Sequence, residues 1–264
     1  MARYAVRGAE LDYDVTGQDG PLVVQLHGLT SSRERDELLG LNLARALRGH
    51  RILRYDARGH GHSTGSPHPG DYGWPSLADD LRELLDHVAP GERVHGVGPS
   101  MGTGTLLHAA LSDPDRFSTL TLVTPPTAWK SRIAQAEAYR ASADAVDRGG
   151  IAAFTERDST APVPPALADA PQTRSSVPEA LLPAVMRGAA ETDLPRTSAI
   201  ATITTPALIL AWSGDHGHPL STAHALHRQL AGSQLVIARS PYGVMAWPGL
   251  FAEFVSTGGL AAAD

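Results

Sequence analysis

A serine lies where an apolar run turns directly into a helix-compatible segment. The run 94–98 leads into Gly-Pro-Ser-Met-Gly at positions 98–102, and residues 103–111 can continue as a helix. Small residues two positions before and two positions after Ser100 allow a strand and a helix to pack closely around a strained turn. Such a turn projects a serine hydroxyl clear of its neighbours, as in a nucleophile elbow. The pattern predicts a positive φ at Ser100 and makes Ser100 a candidate nucleophile.

Apolar runs alternate with helix-compatible segments over residues 22–123, and the alternation resumes over residues 207–238. This arrangement is typical of βα units in a parallel sheet. We therefore predict an α/β fold with a doubly wound, mostly parallel sheet of about eight strands. The predicted strands cover residues 4–6, 11–15, 22–26, 51–55, 94–98, 120–123, 207–212 and 234–238. The predicted helices cover residues 34–47, 76–88, 102–112, 132–148, 179–187 and 222–230.

Residues 125–196 have helical periodicity and a Pro-rich run but no strand signal. We interpret this segment as a helical cap or lid inserted into one core domain, which is formed by residues 1–124 and 197–264. The alternative is that the Pro-rich run, 161–171, links two separate domains. One sheet of about eight strands needs both flanking parts of the chain, which favours the insertion.

Composition excludes several classes of function. A net charge of −6 gives no electrostatic basis for binding nucleic acid or anionic membranes. The chain has no cysteine, so it can form neither disulfides nor thiolate metal sites. Residues 1–10 lack the apolar core of a signal peptide, and no apolar stretch is long enough to cross a bilayer. We expect a cytoplasmic protein that acts on a small molecule, without nucleic acid or membrane partners; the sequence leaves its oligomeric state open.

Three more segments lie at predicted strand ends. His27-Gly28 ends the third strand, Asp-Ala-Arg-Gly-His-Gly-His-Ser at 56–63 follows the fourth, and Ser-Gly-Asp at 213–215 follows the strand after the insertion. Together with the elbow at 98–102, these segments resemble the α/β-hydrolase superfamily of esterases, lipases, epoxide hydrolases and their relatives. The resemblance covers nearly the whole chain, in the family's order and spacing.

The resemblance implies roles for four residues. Ser100 is the nucleophile, the backbone N–H groups of Leu29 and Met101 form the oxyanion hole, and Asp215 is the acid that orients a histidine. A free N–H at a helix start suits the oxyanion role on physical grounds as well. No cofactor is implied. We expect no metal site either, because two histidines at i,i+2 in a Gly-rich turn, without a carboxylate at ligand spacing, make a weak ligand set.

The histidine base of the family is missing from its usual place. It normally follows the last strand, where this chain has Val244, and the twelve histidines end at His227. Three explanations remain open: the chain is an inactivated form, another histidine serves as base, or the pocket needs no such base. The candidate substitutes are His218, three residues after Asp215, and His27, beside the predicted oxyanion hole. With the base position vacant, the triad is incomplete, and we expect no imidazole between Ser100 and Asp215.

The resemblance favours hydrolysis of a carboxylic ester or related acyl bond in a small, largely apolar substrate. Aromatic and large apolar side chains on the cap and after the last strand are candidates to line its pocket: Trp129, Tyr139, Phe154, Tyr242, Met245 and Trp247. One alternative is a non-catalytic ligand-binding or signalling protein on a decayed hydrolase fold. Another is a non-hydrolytic enzyme of specialised metabolism, such as a lyase, a cyclase or a cofactor-free oxygenase, because fold alone does not determine the reaction.

Overall fold

The computed structural model describes residues 2–159 and 162–259. Within these residues, eight strands form a single sheet. They are β1 (Ala2–Val6), β2 (Ala9–Thr16), β3 (Leu22–Gln25), β4 (Arg51–Tyr55), β5 (Val94–Pro99), β6 (Phe117–Val123), β7 (Ala207–Trp212) and β8 (Gln234–Ala238). Their order in the sheet is β1-β2-β4-β3-β5-β6-β7-β8. The first two pairings are antiparallel and the other five are parallel, which confirms the predicted fold class.

Helices cover both faces of this sheet. The α-helices of the described residues are α1 (Arg33–Leu38), α2 (Trp74–Val88), α3 (Met101–Ser112), α4 (Arg132–Ser159), α5 (Leu182–Ala190), α6 (Thr197–Ile200), α7 (Leu220–Gln229), α8 (Pro241–Met245) and α9 (Trp247–Ser256). Short 3-10 helices lie at Leu43–Ala46, Pro69–Tyr72 and Pro165–Leu167.

The central strands are largely apolar because both of their faces are buried. In β3, Leu22 and Val24 belong to the cluster that packs against α2, α3 and α7, whereas Val23 between them belongs to the cluster on α8 and α9. Successive strand residues point to opposite faces, so a strand covered on both sides favours a nearly continuous apolar run over an alternating one. This is the pattern from which the parallel sheet was predicted.

The predicted helix over residues 34–47 is wrong in its length. Helix α1 ends at Leu38, and a separate 3-10 helix begins only at Leu43. Gly40 between them has φ 73°. A glycine in this left-handed region ends an α-helix. The apolar periodicity of residues 34–47 therefore spans two short helices instead of one long helix.

The described residues of segment 125–196 contain helices α4 and α5 and one 3-10 helix, but no strand; residues 160 and 161 lie outside the described part. Ser176 connects the segment to two loops at the carboxyl edge of the sheet. Its N–H donates to Thr30 O over 2.8 Å, and its carbonyl accepts from the N–H of Gly61 over 2.8 Å. A role as a cap over that edge stays a prediction.

Of the helices described, none has the length and apolarity needed to cross a membrane.

Candidate active site

Ser100 lies on the sharp turn between β5 and α3. Its φ of 52° and ψ of −106° confirm the predicted positive φ. A Cβ on Gly98 would lie 2.9 Å from the carbonyl carbon of Gly102, and a Cβ on Gly102 would lie 3.0 Å from the Cβ of Leu26. A side chain at position 98 would collide with the helix backbone, and one at position 102 would press on Leu26, so both positions favour glycine. The Thr103 hydroxyl, 2.9 Å from Gly98 O, stabilises the turn.

The loop after β7 carries both an acid and a histidine to this turn. The Nδ1 atom of His218 lies 2.7 Å from Oδ2 of Asp215, and its Nε2 atom lies 2.8 Å from Oγ of Ser100. A carboxylate can only accept, so Asp215 selects the tautomer in which Nδ1–H donates to it. The Ser100 hydroxyl then donates to Nε2. The three side chains form a continuous hydrogen-bonded chain.

This arrangement corrects one expectation from the sequence. An imidazole does lie between Ser100 and Asp215, so the prediction of a vacant position between them, and with it the geometric argument for an incomplete triad, is wrong. The physical reason is the position of the loop. Strands β5 and β7 are parallel and separated in the sheet only by β6, so the segments after them meet at the same edge.

Asp215 is ionised at neutral pH despite being largely buried. Burial opposes its ionisation, but four donors outweigh this effect and hold the pKa of the Asp215 carboxyl below its usual range. His218 Nδ1 and Trp212 Nε1 each donate to Oδ2 over 2.7 Å. The backbone N–H groups of Gly217 and His218 donate to Oδ1 over 2.8 and 3.2 Å. The carboxylate therefore remains an acceptor that can stabilise an imidazolium.

Two backbone N–H groups near Ser100 are free to bind an anion. No hydrogen bond within the described residues uses the N–H of Leu29 or of Met101. Met101 is the first residue of α3, where an N–H has no acceptor within the helix. The loop that holds Leu29 runs beside the nucleophile, because a Cβ on Gly28 would lie 3.8 Å from the Cβ of Ser100. That the N–H groups of Leu29 and Met101 form an oxyanion hole stays a prediction.

His27 is a structural residue rather than a substitute base. Its Nδ1–H donates to Gly28 O over 2.8 Å, and its Nε2 accepts from the N–H of Ala57 over 2.9 Å. Burial lowers the pKa of this imidazole, which favours the neutral ring. With both ring nitrogens occupied by backbone groups, His27 has no position from which to take a proton from Ser100.

The segment after β8 holds its three pocket candidates in different surroundings. Two of its candidates, Tyr242 and Met245 in helix α8, are 81% and 70% exposed. Trp247 is fully buried and stacks on Trp212 at a ring-centroid distance of 5.8 Å. Trp247 has no surface left to line a pocket, so that prediction is wrong. Contact of Tyr242 and Met245 with substrate stays a prediction. Val244 is buried in the same apolar cluster as both tryptophans; its correspondence to the family's histidine stays a prediction.

Two pocket candidates on the other side of the site are half-buried. Trp129 has φ 52°, and its backbone N–H donates to the Asp193 carboxylate. Tyr139 packs, like Leu29, at the margin of the cluster between α4 and α5. Burial raises the pKa of the Tyr139 phenol, and the Asp215 charge adds to the rise, so the two groups lie within electrostatic reach. Contact of Trp129 and Tyr139 with substrate stays a prediction. Phe154, the third candidate on the cap, is buried inside the cluster between α4 and α5.

His60 and His62, the two histidines of segment 56–63, have separate surroundings. Nδ1 of His60 pairs with Arg58 O over 2.8 Å, and burial lowers the pKa of His60 to about 3. His62 points outward beside Glu34, at 3.4 Å. No group of three or more His, Asp or Glu side chains in residues 2–159 and 162–259 is arranged to hold a metal ion.

Trp212, whose indole N–H donates to the triad acid, was not predicted from the sequence. Trp212 reads as the last residue of a buried apolar strand, and in the structure it is 4% exposed. A buried indole N–H usually has a partner. This rule, applied to a tryptophan three residues before Asp215, is the signal that could have identified the contact.

Comparison with known proteins determines the family. The family model described as alpha/beta hydrolase fold matches residues 21–229 of this chain. The chain belongs to the alpha/beta hydrolase fold family. Two solved members of this fold cover nearly all of it: a hydrolase from Pseudomonas aeruginosa (TM-score 0.79, 24% identity, 98% of each chain) and a thermophilic esterase from Thermogutta terrifontis (TM-score 0.78, 22% identity, 98% of this chain and 100% of the other). At these identities the likeness concerns the fold.

Curated alpha/beta hydrolase fold relatives match over shorter stretches. The sn-1-specific diacylglycerol lipase ABHD11 of Mus musculus is 34% identical over 120 residues, which are 45% of this chain and 38% of that protein. The putative carbamate hydrolase RutD of Variovorax paradoxus is 34% identical over 150 residues, 55% of this chain and 53% of that protein. The chain thus spans between about two fifths and about half of the length of these relatives. Its relatives are hydrolases, which supports an enzyme of this fold.

Proposed function

We propose that this protein is a serine hydrolase that cleaves a carboxylic ester or a related acyl bond of a small, largely apolar substrate. Ser100 is the nucleophile, His218 the general base and Asp215 the acid that orients it. The observation that carries the proposal is the imidazole of His218, hydrogen-bonded at 2.7 Å to Asp215 and at 2.8 Å to Ser100. Such a chain gives a serine the base that it needs for attack.

The proposed reaction has two halves. Ser100 Oγ attacks the substrate carbonyl carbon while its proton moves to Nε2 of His218, and the N–H groups of Leu29 and Met101 bind the resulting oxyanion. When the tetrahedral intermediate collapses, the bond to the leaving alcohol breaks and His218 returns the proton to the alcohol oxygen. Water then attacks the acyl-enzyme by the same route, giving the carboxylic acid and free Ser100.

The surroundings of the triad support an apolar acyl substrate. Leu29, whose N–H is a predicted oxyanion donor, and Tyr139 lie at the margin of the cluster between α4 and α5. Trp129 lies at the margin of the cluster that packs against α2, α3 and α7, two residues after Thr127, whose N–H donates to Gly217 O in the triad loop over 2.9 Å. Apolar and aromatic walls with few polar groups are typical of small-molecule pockets. The relatives named as a diacylglycerol lipase and a carbamate hydrolase also act, by their names, on carbonyl bonds to oxygen or nitrogen.

Hydrolysis of short-chain p-nitrophenyl esters tests the proposal. We expect the parent protein to turn over these esters and to react with a fluorophosphonate probe at Ser100. Ser100→Ala should abolish both, and His218→Ala should lower kcat by about 10³-fold or more, since loss of a triad base can cost up to about 10⁶. His216→Ala removes an exposed imidazole two residues away and is the matched control, with activity expected to stay unchanged.

Two results would reject the proposal. Full activity in His218→Ala would show that another group takes the proton from Ser100. A parent protein that hydrolyses no ester and leaves the probe unreacted would instead favour the ligand-binding alternative.

A further inference from the structure

We propose that Trp212 is a positioning residue that holds the acid and the base of the triad in line with Ser100. The inference rests on the proposed function and extends it to a residue outside the triad. It begins with Oδ2 of Asp215, which accepts two hydrogen bonds at once. Nε1–H of Trp212 and Nδ1–H of His218 both reach this oxygen, each over 2.7 Å.

The second oxygen of the carboxylate is fixed by the loop itself. Oδ1 of Asp215 accepts from the backbone N–H of Gly217 over 2.8 Å and from that of His218 over 3.2 Å. Those two donors lie in the same loop as the acid, so they cannot fix the loop relative to the sheet. Trp212, the last residue of β7, is the donor that belongs to the sheet.

The indole is held rigidly on both sides. One side stacks on the fully buried Trp247, with centroids 5.8 Å apart and an interplanar angle of 13°. The indole also meets the ring of His218 edge to face, with centroids 5.9 Å apart at 88°. Stacked and edge-to-face pairs at such distances are favourable. Trp212 therefore contacts both the acid and the base of the triad through a side chain that the core keeps in place.

The hydrogen bond from Trp212 to Asp215 matters because the acid and the base share one short loop. Gly214 and Gly217 flank Asp215 within that loop, and glycines leave a backbone more freedom than other residues do. The N–H of Thr127 holds the loop backbone by donating to Gly217 O over 2.9 Å, but within the described residues it is Trp212 that joins the Asp215 carboxylate to the sheet. Without this bond, Asp215 and His218 could shift together and lose the 2.8 Å distance to Ser100. Displacements of about 1 Å can cost about 10²-fold in rate.

Trp212→Phe tests the proposal, with Trp247→Phe as matched control. Both changes keep an aromatic ring in the stack and remove one indole N–H, but Nε1 of Trp247 has no hydrogen-bond partner among the described residues. We expect Trp212→Phe to lower kcat for p-nitrophenyl esters about 10-fold or more, the usual effect of losing a hydrogen bond to a charged group. KM should stay within about threefold, and Trp247→Phe should retain kcat within about threefold. Equal losses of kcat in both variants, or none in Trp212→Phe, would overturn the proposal.

Proton NMR gives a second readout that needs no substrate. The Nδ1–H of His218 should give a far-downfield resonance, assigned by its disappearance in His218→Ala. We expect Trp212→Phe to shift this resonance, because its acceptor oxygen loses a second donor, whereas Trp247→Phe should leave it in place. An unchanged resonance in Trp212→Phe would reject the positioning role. A shifted resonance in a protein that hydrolyses no ester would instead confirm the contact and reject the proposed function.

Discussion

The acid and the base of the candidate triad are separated by only two residues. Asp215 orients His218 within one loop, while Ser100 comes from the elbow 118 positions earlier. Hydrogen bonds within the loop can thus set the tautomer of the base before it meets the nucleophile. Because His218 lies beside Ser100, the residue at position 244 needs no titratable side chain, and Val244 packs in the core.

Val244→His should therefore bring no new activity. The sequence alone placed the missing base at Val244, but His218 already occupies the position between Ser100 and Asp215. Val244 is 7% exposed in an apolar cluster, so an imidazole there would bury polar atoms without partners. We expect the free energy of unfolding to fall by about 1 to 3 kcal/mol, measured by urea denaturation, and ester hydrolysis not to rise.

Val244→Ala is the control, since it removes packing without adding a polar atom. A tenfold or larger gain in hydrolysis in Val244→His, absent from Val244→Ala, would show that His218 is not the working base.

At the level of secondary-structure elements, the site depends on how closely β5 and α3 approach. Gly98 and Gly102 face each other across the elbow, and a Cβ on either would lie within about 3 Å of its neighbours. The strained φ of Ser100 survives because the strand and the helix on both sides of it are packed in the core.

Gly98→Ala should disturb this contact and displace the nucleophile. We expect the free energy of unfolding to fall by about 1 to 3 kcal/mol from overpacking, and kcat for ester hydrolysis to fall by about 10²-fold as Ser100 moves. Urea denaturation and steady-state kinetics measure the two effects.

Gly249→Ala makes the same chemical change in α9, where a Cβ would meet nothing within 4 Å. A methyl group in an open helical position should leave activity unchanged and stabilise slightly. If Gly98→Ala behaved like this control, the close approach at the elbow would not matter for the site.

On the scale of the whole molecule, one buried carboxyl links folding stability to pH. Asp36 in α1 is 2% exposed, and its Oδ2 has no partner within the described residues. Burial raises the pKa of Asp36 to about 7, although a hydrogen bond from Ser31 opposes the rise. The folded protein thus keeps this carboxyl protonated at pH values where the unfolded chain, with an Asp pKa of about 3.9, loses the proton.

The sign of the effect follows from proton binding. Between about pH 4 and about pH 7 the folded state binds more protons at Asp36 than the unfolded state, so stability from this group falls as pH rises. The full loss amounts to about 4 kcal/mol. We expect Asp36→Asn to gain stability relative to the parent as pH rises through this range, measured by urea denaturation at several pH values.

Asp79→Asn, which changes a largely exposed carboxylate, is the control and should show no such trend. A constant stability difference between Asp36→Asn and the parent from pH 4 to pH 8 would contradict the prediction.

The sequence predicted the features that depend on neighbouring residues. Largely apolar runs identified the central strands β3, β5, β6 and β7, because a strand buried on both faces is mostly apolar. Gly98 and Gly102 identified the elbow because glycine permits the close approach of strand and helix. Helix interruptions such as Gly40 were missed, since apolar periodicity continues across a break in the backbone. The exposure of Tyr242 and Met245 was also missed, because it depends on how α8 is rotated against the core.

Which histidine meets Ser100 was decided by the tertiary structure. The sequence named His218 as one alternative but held no information about its distance from a residue 118 positions away. That distance depends on the parallel register of β5, β6 and β7, which brings the segments after β5 and β7 to one edge of the sheet. Local preferences act over a few residues along the chain, whereas a 2.8 Å contact between distant side chains exists only after the strands have paired and both faces of the sheet are packed.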